Sequence, residues 1–250
     1  MATRNIGKWQ KKSFNMLSII IPTLNEEKYL PRLLESIRLQ DFQDYEIIVS
    51  DAGSSDLTVE IARNRGAEVI LSNKVKHPSF QRNQGAIQAK GKYILFLDAD
   101  SELVDGFLNK SMEEFKKKNL SGASYYFKFN PNRWYYNIYS GISNLIFFLK
   151  EKSDNPAAIG AGIMVERKKH FEINGFDLKV VLSEDCDYSA RLAKVGKYRI
   201  LKSVKLLYSA RRIEKEGFWR AGWKWLKMGL FTVTNRRIRK QIVNYDFGKF

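Results

Sequence analysis

Three short apolar runs, each closed at once by a polar cluster, constrain this chain more than any other feature. Leu17-Ser18-Ile19-Ile20-Ile21 leads into Pro22-Thr23-Leu24-Asn25-Glu26, Tyr45 to Val49 into Ser50-Asp51-Ala52-Gly53-Ser54, and Lys92 to Leu97 into Asp98-Ala99-Asp100. Runs of this length, rich in β-branched, Leu and aromatic residues, read as buried strands. Between them, Tyr29, Leu30, Leu33, Leu34 and Ile37 keep a helical period. Thr58 to Asn64 and Ser79 to Ala89 read as further helices, and Ala67 to Leu71 as a strand. The predicted order is β-α-β-α-β-α-β. Strands alternating with helices imply an α/β domain with a mostly parallel, Rossmann-like sheet flanked by helices, and ligands gather at the carboxyl ends of such strands. All three polar clusters would therefore meet on one rim.

Composition sets the kind of partner. A chain of 250 residues with 44% hydrophobic content can bury a full core, which excludes a disordered chain or a miniprotein. Its net charge of +16 predicts an anionic partner: phosphates, nucleic acid or an anionic membrane surface. The single cysteine, Cys186, can form neither an internal disulfide nor a Cys-based zinc site, and no cleavable apolar signal precedes Met16. The expectation is an intracellular, reduced protein. The uncharged stretch from Trp134 to Leu149 carries Asn137, Ser140, Ser143 and Asn144. It falls short of the roughly 20 apolar residues of a membrane span, so any contact with lipid would be along the surface.

The chemistry-bearing residues sit in the polar clusters. Asp98 and Asp100 offer paired hard oxygens of the kind Mg²⁺ or Mn²⁺ takes beside a diphosphate. The plainer alternative is a strand-end turn with Ser101 capping a helix from about Asp105. Asp51, at a strand exit, suits a hydrogen bond to a base or ribose, or to its own loop, while Asp56 suits a helix cap. Arg82, near the start of its helix, could face the rim and pair with phosphate; His77, before Pro78, reads as a surface residue. Downstream, Glu184, Asp185 and Asp187 precede a helical pattern. They either complement the helix dipole or supply a general base, and spacing leaves Glu184 and Asp185 open.

With these pieces placed, the sequence resembles the inverting glycosyltransferases of family 2, which have the nucleotide-diphospho-sugar transferase (GT-A) fold. Residues 18–27, 48–56 and 91–100 look like the family's two nucleotide loops and its Asp-x-Asp metal motif. Asn174-Gly175-Phe176-Asp177 resembles its Gly-Gly-Phe-Asp loop, and residues 183–192 its Glu-Asp motif. The resemblance implies donor contacts at Pro22, Thr23, Asn25, Glu26, Asp51, Arg82 and Asp98, and Mg²⁺ or Mn²⁺ on Asp98 and Asp100. It further implies acceptor contacts at Gly160, Gly162, Gly175 and Glu184, with Asp185 as catalytic base. Ala52 stands where many relatives have a second Asp, and Asn174 where they have Gly.

The expected layout is one GT-A domain over residues 1–210, with a nucleotide-sugar half at 17–100 and an acceptor half at 101–210, followed by a helical extension at 211–250. That extension holds eleven basic residues against three acidic ones, half the net charge. Arg220, Lys224 and Lys227 share one helical face, while Phe218, Trp219, Trp223, Trp225, Leu226, Leu230 and Val233 fill most of the rest. This reads as a basic amphipathic helix lying in a membrane interface, in preference to a helix packed on the domain or a nucleic-acid-binding tail. Tyr135, Ile138, Tyr139, Ile142, Leu145, Ile146 and Leu149 form a second apolar stripe. The expected protein is a peripheral enzyme on the cytoplasmic face of the cell membrane. It moves a sugar from a nucleotide donor to a hydroxyl of a lipid-linked or other saccharide. The alternatives are a polyprenyl-phosphate sugar synthase, with phosphate as nucleophile, and a nucleic-acid-binding protein on a degenerate transferase fold.

Overall fold

The computed structural model describes residues 15–72, 75–180, 182–217, 220 and 223. The tail beyond Gly217, apart from Arg220 and Trp223, lies outside the described residues, and so does most of the helix expected there. The first half follows the expected alternation: β1 (Leu17–Thr23), α1 (Leu30–Arg38), β2 (Tyr45–Asp51), α2 (Thr58–Asn64), β3 (Glu68–Leu71), α3 (Pro78–Gln88) and β4 (Tyr93–Leu97). The second half adds β5 (Ser101–Glu102), α4 (Phe107–Lys117), β6 (Gly122–Asn130), α5 (Trp134–Lys150), β7 (Gly162–Glu166), α6 (Arg167–Glu172), α7 (Glu184–Val195), β8 (Tyr198–Ser209) and α8 (Arg211–Glu216).

These strands form one eight-stranded sheet in the order β3-β2-β1-β4-β7-β6-β8-β5. The first four are parallel, β7 runs against both β4 and β6, and β8 returns parallel to β6. Residues of β1 alternate between two cores. Leu17, Ile19 and Ile21 pack with Leu30, Leu33 and Phe115 on one face, and Ile20 with Ala86, Phe96 and Tyr188 on the other. Burial on both faces is why these strands are almost wholly apolar. Gly85 lets α3 approach the sheet, because a Cβ there would lie 2.4 Å from Ile20 Cγ2.

Pro22 sits in a central strand without harm. The ladder from β1 to β4 stops at the Ile20–Phe96 pair, so no hydrogen bond to β4 is asked of its missing N–H. One local expectation is corrected. Ser101 does not cap a helix from Asp105: Ser101 and Glu102 pair with Tyr208 and Leu207, and α4 starts at Phe107, after Gly106 turns the chain at φ 69°. The distant strand β8 wins these two residues for the sheet, a competitor that local spacing does not reveal. Among the described residues, no helix is long and apolar enough to cross a membrane.

Candidate active site

Parallel register places the three polar clusters side by side. Thr23 and Asp51 are paired residues at the ends of β1 and β2, and Thr23 Oγ1 donates to Asp51 Oδ2 at 2.9 Å. Asp51 is fully buried and also accepts from the backbone N–H groups of Gly53 and Ser54 and from the Ser54 hydroxyl. Its carboxylate is thus engaged in shaping the loop. Asn25 ties the two loops together: its N–H donates to Ser54 Oγ at 2.8 Å and its Oδ1 accepts from Ser55 N at 2.9 Å. Asp56 accepts from the N–H and hydroxyl of Thr58 and so anchors the start of α2, but the N-cap position itself falls on Leu57, one residue later than expected. His77 caps α3 through Nδ1, which accepts from Ser79 N at 3.2 Å.

Arg82 is the centre of one cluster. It is only 2% exposed, and its Nη2 donates to Asp98 Oδ1 at 2.7 Å and to the Gly160 carbonyl at 3.2 Å, while Nη1 meets Glu184 Oε1 at 3.1 Å. Burial alone would weaken its charge, but Asp98 and Glu184 more than offset this and hold the guanidinium protonated. The ring of Phe176, from the Asn174–Asp177 loop, lies 5.3 Å from it. One arginine therefore links the Asp98-Ala99-Asp100 turn, the Glu184-Asp185 pair and the Asn174–Asp177 loop. Asp185 stands beside Glu184, with its Oδ2 3.3 Å from where a Cβ on Gly160 would be. Burial first, and Glu184 second, push its carboxyl up to about 7.

A second cluster lies on the other side of Asp98-Ala99-Asp100. Arg211 Nη1 and Nη2 grip Glu26 at 2.7 and 2.8 Å, and its Nε meets Asp100 Oδ2 at 2.8 Å. The guanidinium also lies over the Tyr29 ring at 4.6 Å. Burial is the largest influence on Glu26 and Asp100; it raises both, against the pull of Arg211, and brings Asp100 to about 7. Asp100 Oδ1 is buried without a hydrogen-bond partner.

The structure therefore brings together Glu26, Asp98, Asp100, Arg82, Gly160, Glu184 and Asp185. It does not bring Gly162 or Gly175 into this group. Gly162 lies in β7, where a Cβ would press on Leu206 and Tyr125, and Gly175 turns at φ 65° against Asn83 and His170. Both glycines serve packing. Arg211 and Tyr29 were missed by sequence reasoning, which put Arg211 at the head of the basic tail and Tyr29 in an apolar helix face. Asn83 was missed too; it clamps the Asn174–Asp177 loop through both backbone polar groups of Phe176 at 2.9 Å. The signal for Arg211 was its place directly after a strand, the position that marks the other rim residues.

Comparison with known proteins agrees with this fold. The chain is 39% identical over 104 residues to the GalNAc(5)-diNAcBac-PP-undecaprenol beta-1,3-glucosyltransferase of Campylobacter jejuni, a match covering 39% of this chain and 34% of that one. It is 39% identical over 95 residues to a PGL/p-HBAD biosynthesis glycosyltransferase of Mycobacterium bovis, covering 36% and 37%. The matched part thus spans about a third of the length of these curated relatives. Among solved structures, S. aureus TarS 1-349 in complex with UDP-GlcNAc superposes with a TM-score of 0.62 at 22% identity, over 78% of this chain and 58% of that one, a likeness of fold. Residues 18–173, well over half of the chain, match the family described as Glycosyl transferase family 2, and the chain belongs to that family.

Proposed function

We propose that this chain is an inverting glycosyltransferase that moves a sugar from a nucleotide-diphospho-sugar to a hydroxyl of a lipid-linked saccharide at a membrane surface. The observation that carries the reading is the Arg82 cluster, which sets a carboxylate of raised pKa, Asp185, beside the rim where a donor diphosphate would end. Asp185 takes the proton of the acceptor hydroxyl, and the oxygen attacks the anomeric carbon from the face opposite the diphosphate. The bond from that carbon to the diphosphate oxygen breaks with its electron pair, and the nucleoside diphosphate leaves. The configuration inverts, with no covalent intermediate. A carboxyl near 7 is a stronger base than an ordinary Asp, and about half of it is ionised at neutral pH. Glu26, Asn25, Thr23 and Asp51 frame the nucleoside side of the donor.

Asp98 and the buried Asp100 oxygen without a partner suit a hard divalent ion. Among the described residues no three acidic, His or Cys side chains form a cage for one, so Mg²⁺ or Mn²⁺ would share its coordination with donor phosphates. When bound, the ion would neutralise charge on the departing diphosphate.

The membrane part of the reading rests on α5. Trp134, Ile138, Ile142, Leu145 and Leu149 recur along it, each about half exposed or more. The names of the relatives, undecaprenol-linked and PGL/p-HBAD biosynthesis, fit a glycolipid acceptor. The test is calorimetric binding of UDP-, GDP- and dTDP-sugars with and without Mn²⁺, to the wild type and to Asp100→Ala. Binding of one donor that is weakened by the substitution is expected; binding of none by any form would remove the reading.

A further inference from the structure

Arg211 lies 185 residues from Glu26 in sequence, yet all three of its guanidinium nitrogens are committed to the donor rim. Two observations fix its position. Ser209 N donates to the Asp100 carbonyl at 3.1 Å, and the β5–β8 ladder pairs Ser101 with Tyr208, so the end of β8 is strapped to the metal motif itself. The Arg211 N–H in turn meets Ser209 Oγ at 3.1 Å, and the side chain is only 16% exposed.

The carboxylate pair of Glu26 and Asp100 suits one side of a cation site, the rest of which donor phosphates would supply. Glu26 and Asp100 together carry two negative charges at neutral pH when ionised, their side chains are 7% and 3% exposed, and a single monovalent guanidinium bridges them. A planar guanidinium satisfies carboxylates edge-on, but it cannot be approached by a second cation without repulsion. A compact divalent ion would compete for the same oxygens.

We propose that Arg211 is a tethered counter-cation of the donor site, holding Glu26 and Asp100 in the donor-free protein and excluding a free divalent ion until a nucleoside diphosphate arrives with it. The inference rests on the donor-site reading above and deepens it. The incoming diphosphate offers the guanidinium a new bidentate partner, and Asp100 passes to the metal. Arg211 is thus a positioning residue that makes metal uptake conditional on the donor, which keeps a strongly anionic pocket from trapping a metal ion without substrate.

The test is Mn²⁺ titration, followed by electron paramagnetic resonance of the free ion, on full-length wild type, Arg211→Gln and Arg211→Lys. It is done first without nucleotide and then with UDP, GDP or dTDP. Without nucleotide, Arg211→Gln is expected to bind Mn²⁺ about tenfold or more tightly than the wild type, because an uncompensated pair of carboxylates is left. Arg211→Lys, which keeps the charge but loses the two-pronged grip, falls between them and still decides the matter if the Gln variant does not fold. A cognate diphosphate should raise Mn²⁺ affinity far more in the wild type than in Arg211→Gln. Equal Mn²⁺ affinities for wild type and the folded variants without nucleotide would overturn the proposal. Absence of any nucleotide binding, with or without Mn²⁺, would instead sink the transferase reading, while the nucleotide-free comparison continues to judge Arg211.

Discussion

Arg82 and Arg211 flank the same Asp-x-Asp motif, and their differences show how one rim is divided. Arg82 comes from α3, inside the parallel half, and is sealed at 2% exposure against Asp98 and Glu184. Arg211 comes from the end of β8, is more open, and holds Glu26 and Asp100. The first joins Asp98 to Glu184, beside the proposed base; the second joins Glu26 to Asp100, where the proposal above places the exchange of a cation. Each arginine therefore holds two carboxylates, partly buried at Asp98 and Glu184 and buried at Glu26 and Asp100.

The largest expected effect lies on the Arg82 side. Asp185→Asn should lower sugar transfer to a hydroxyl by about 10²–10⁴-fold, the usual contribution of a general base, with donor affinity unchanged in calorimetry. Near-normal rates would favour a phosphate acceptor, which needs no base. Next, urea unfolding should show Arg82→Met losing about 3 kcal/mol, since a buried ion-pair hub is removed and two partly buried carboxylates lose their partner. Arg211→Met should lose less, because Glu26 and Asp100 are already shifted toward protonation and can shed their charge. Equal losses would erase the distinction between the two arginines.

The pH profile sharpens the same contrast. Asp185 is raised to about 7, so below that pH it is protonated and unable to act as base. kcat/KM should therefore fall about tenfold per unit as pH drops below about 7 and level off above it. The same limb in the residual activity of Asp185→Asn would assign it to another group. Gly160→Ala places a methyl 3.3 Å from Asp185 Oδ2 and 3.4 Å from Arg82 Nη2. It should cost about tenfold in kcat, since small misplacements of a reacting group are costly, with little change in Tm; an unchanged kcat would show that Gly160 does not hold the base in place. Smallest in stability terms is the triple change Ile138→Ser, Ile142→Ser and Leu145→Ser on α5. It should leave stability within about 0.5 kcal/mol but reduce co-sedimentation with anionic vesicles severalfold, and unchanged sedimentation would remove α5 from the membrane contact.

Much of this was legible in sequence because it is local. The strands β1, β2 and β4 announce themselves as apolar runs, and parallel pairing alone then delivers Thr23, Asp51 and Asp98 to one rim. Arg82 was placed near the start of its helix, but its partners were not foreseen: a phosphate was expected, and two carboxylates hold it. Ser101 was read as a cap because nothing near it in sequence signals pairing with Tyr208, over a hundred residues on. Gly162 and Gly175 fitted the motifs, yet they answer to packing and backbone conformation.

By itself, then, the sequence determined the order of strands and helices in the first half, the family and the list of carboxylates. The period of apolar residues and the residues at strand ends are properties of neighbouring positions. Tertiary structure decided which charges meet. The grip of Arg211 on Glu26 and Asp100 depends on β8 crossing to pair with β5, and Arg211 and Glu26 lie 185 residues apart in sequence. No local pattern encodes that distance; it is set by how the sheet closes.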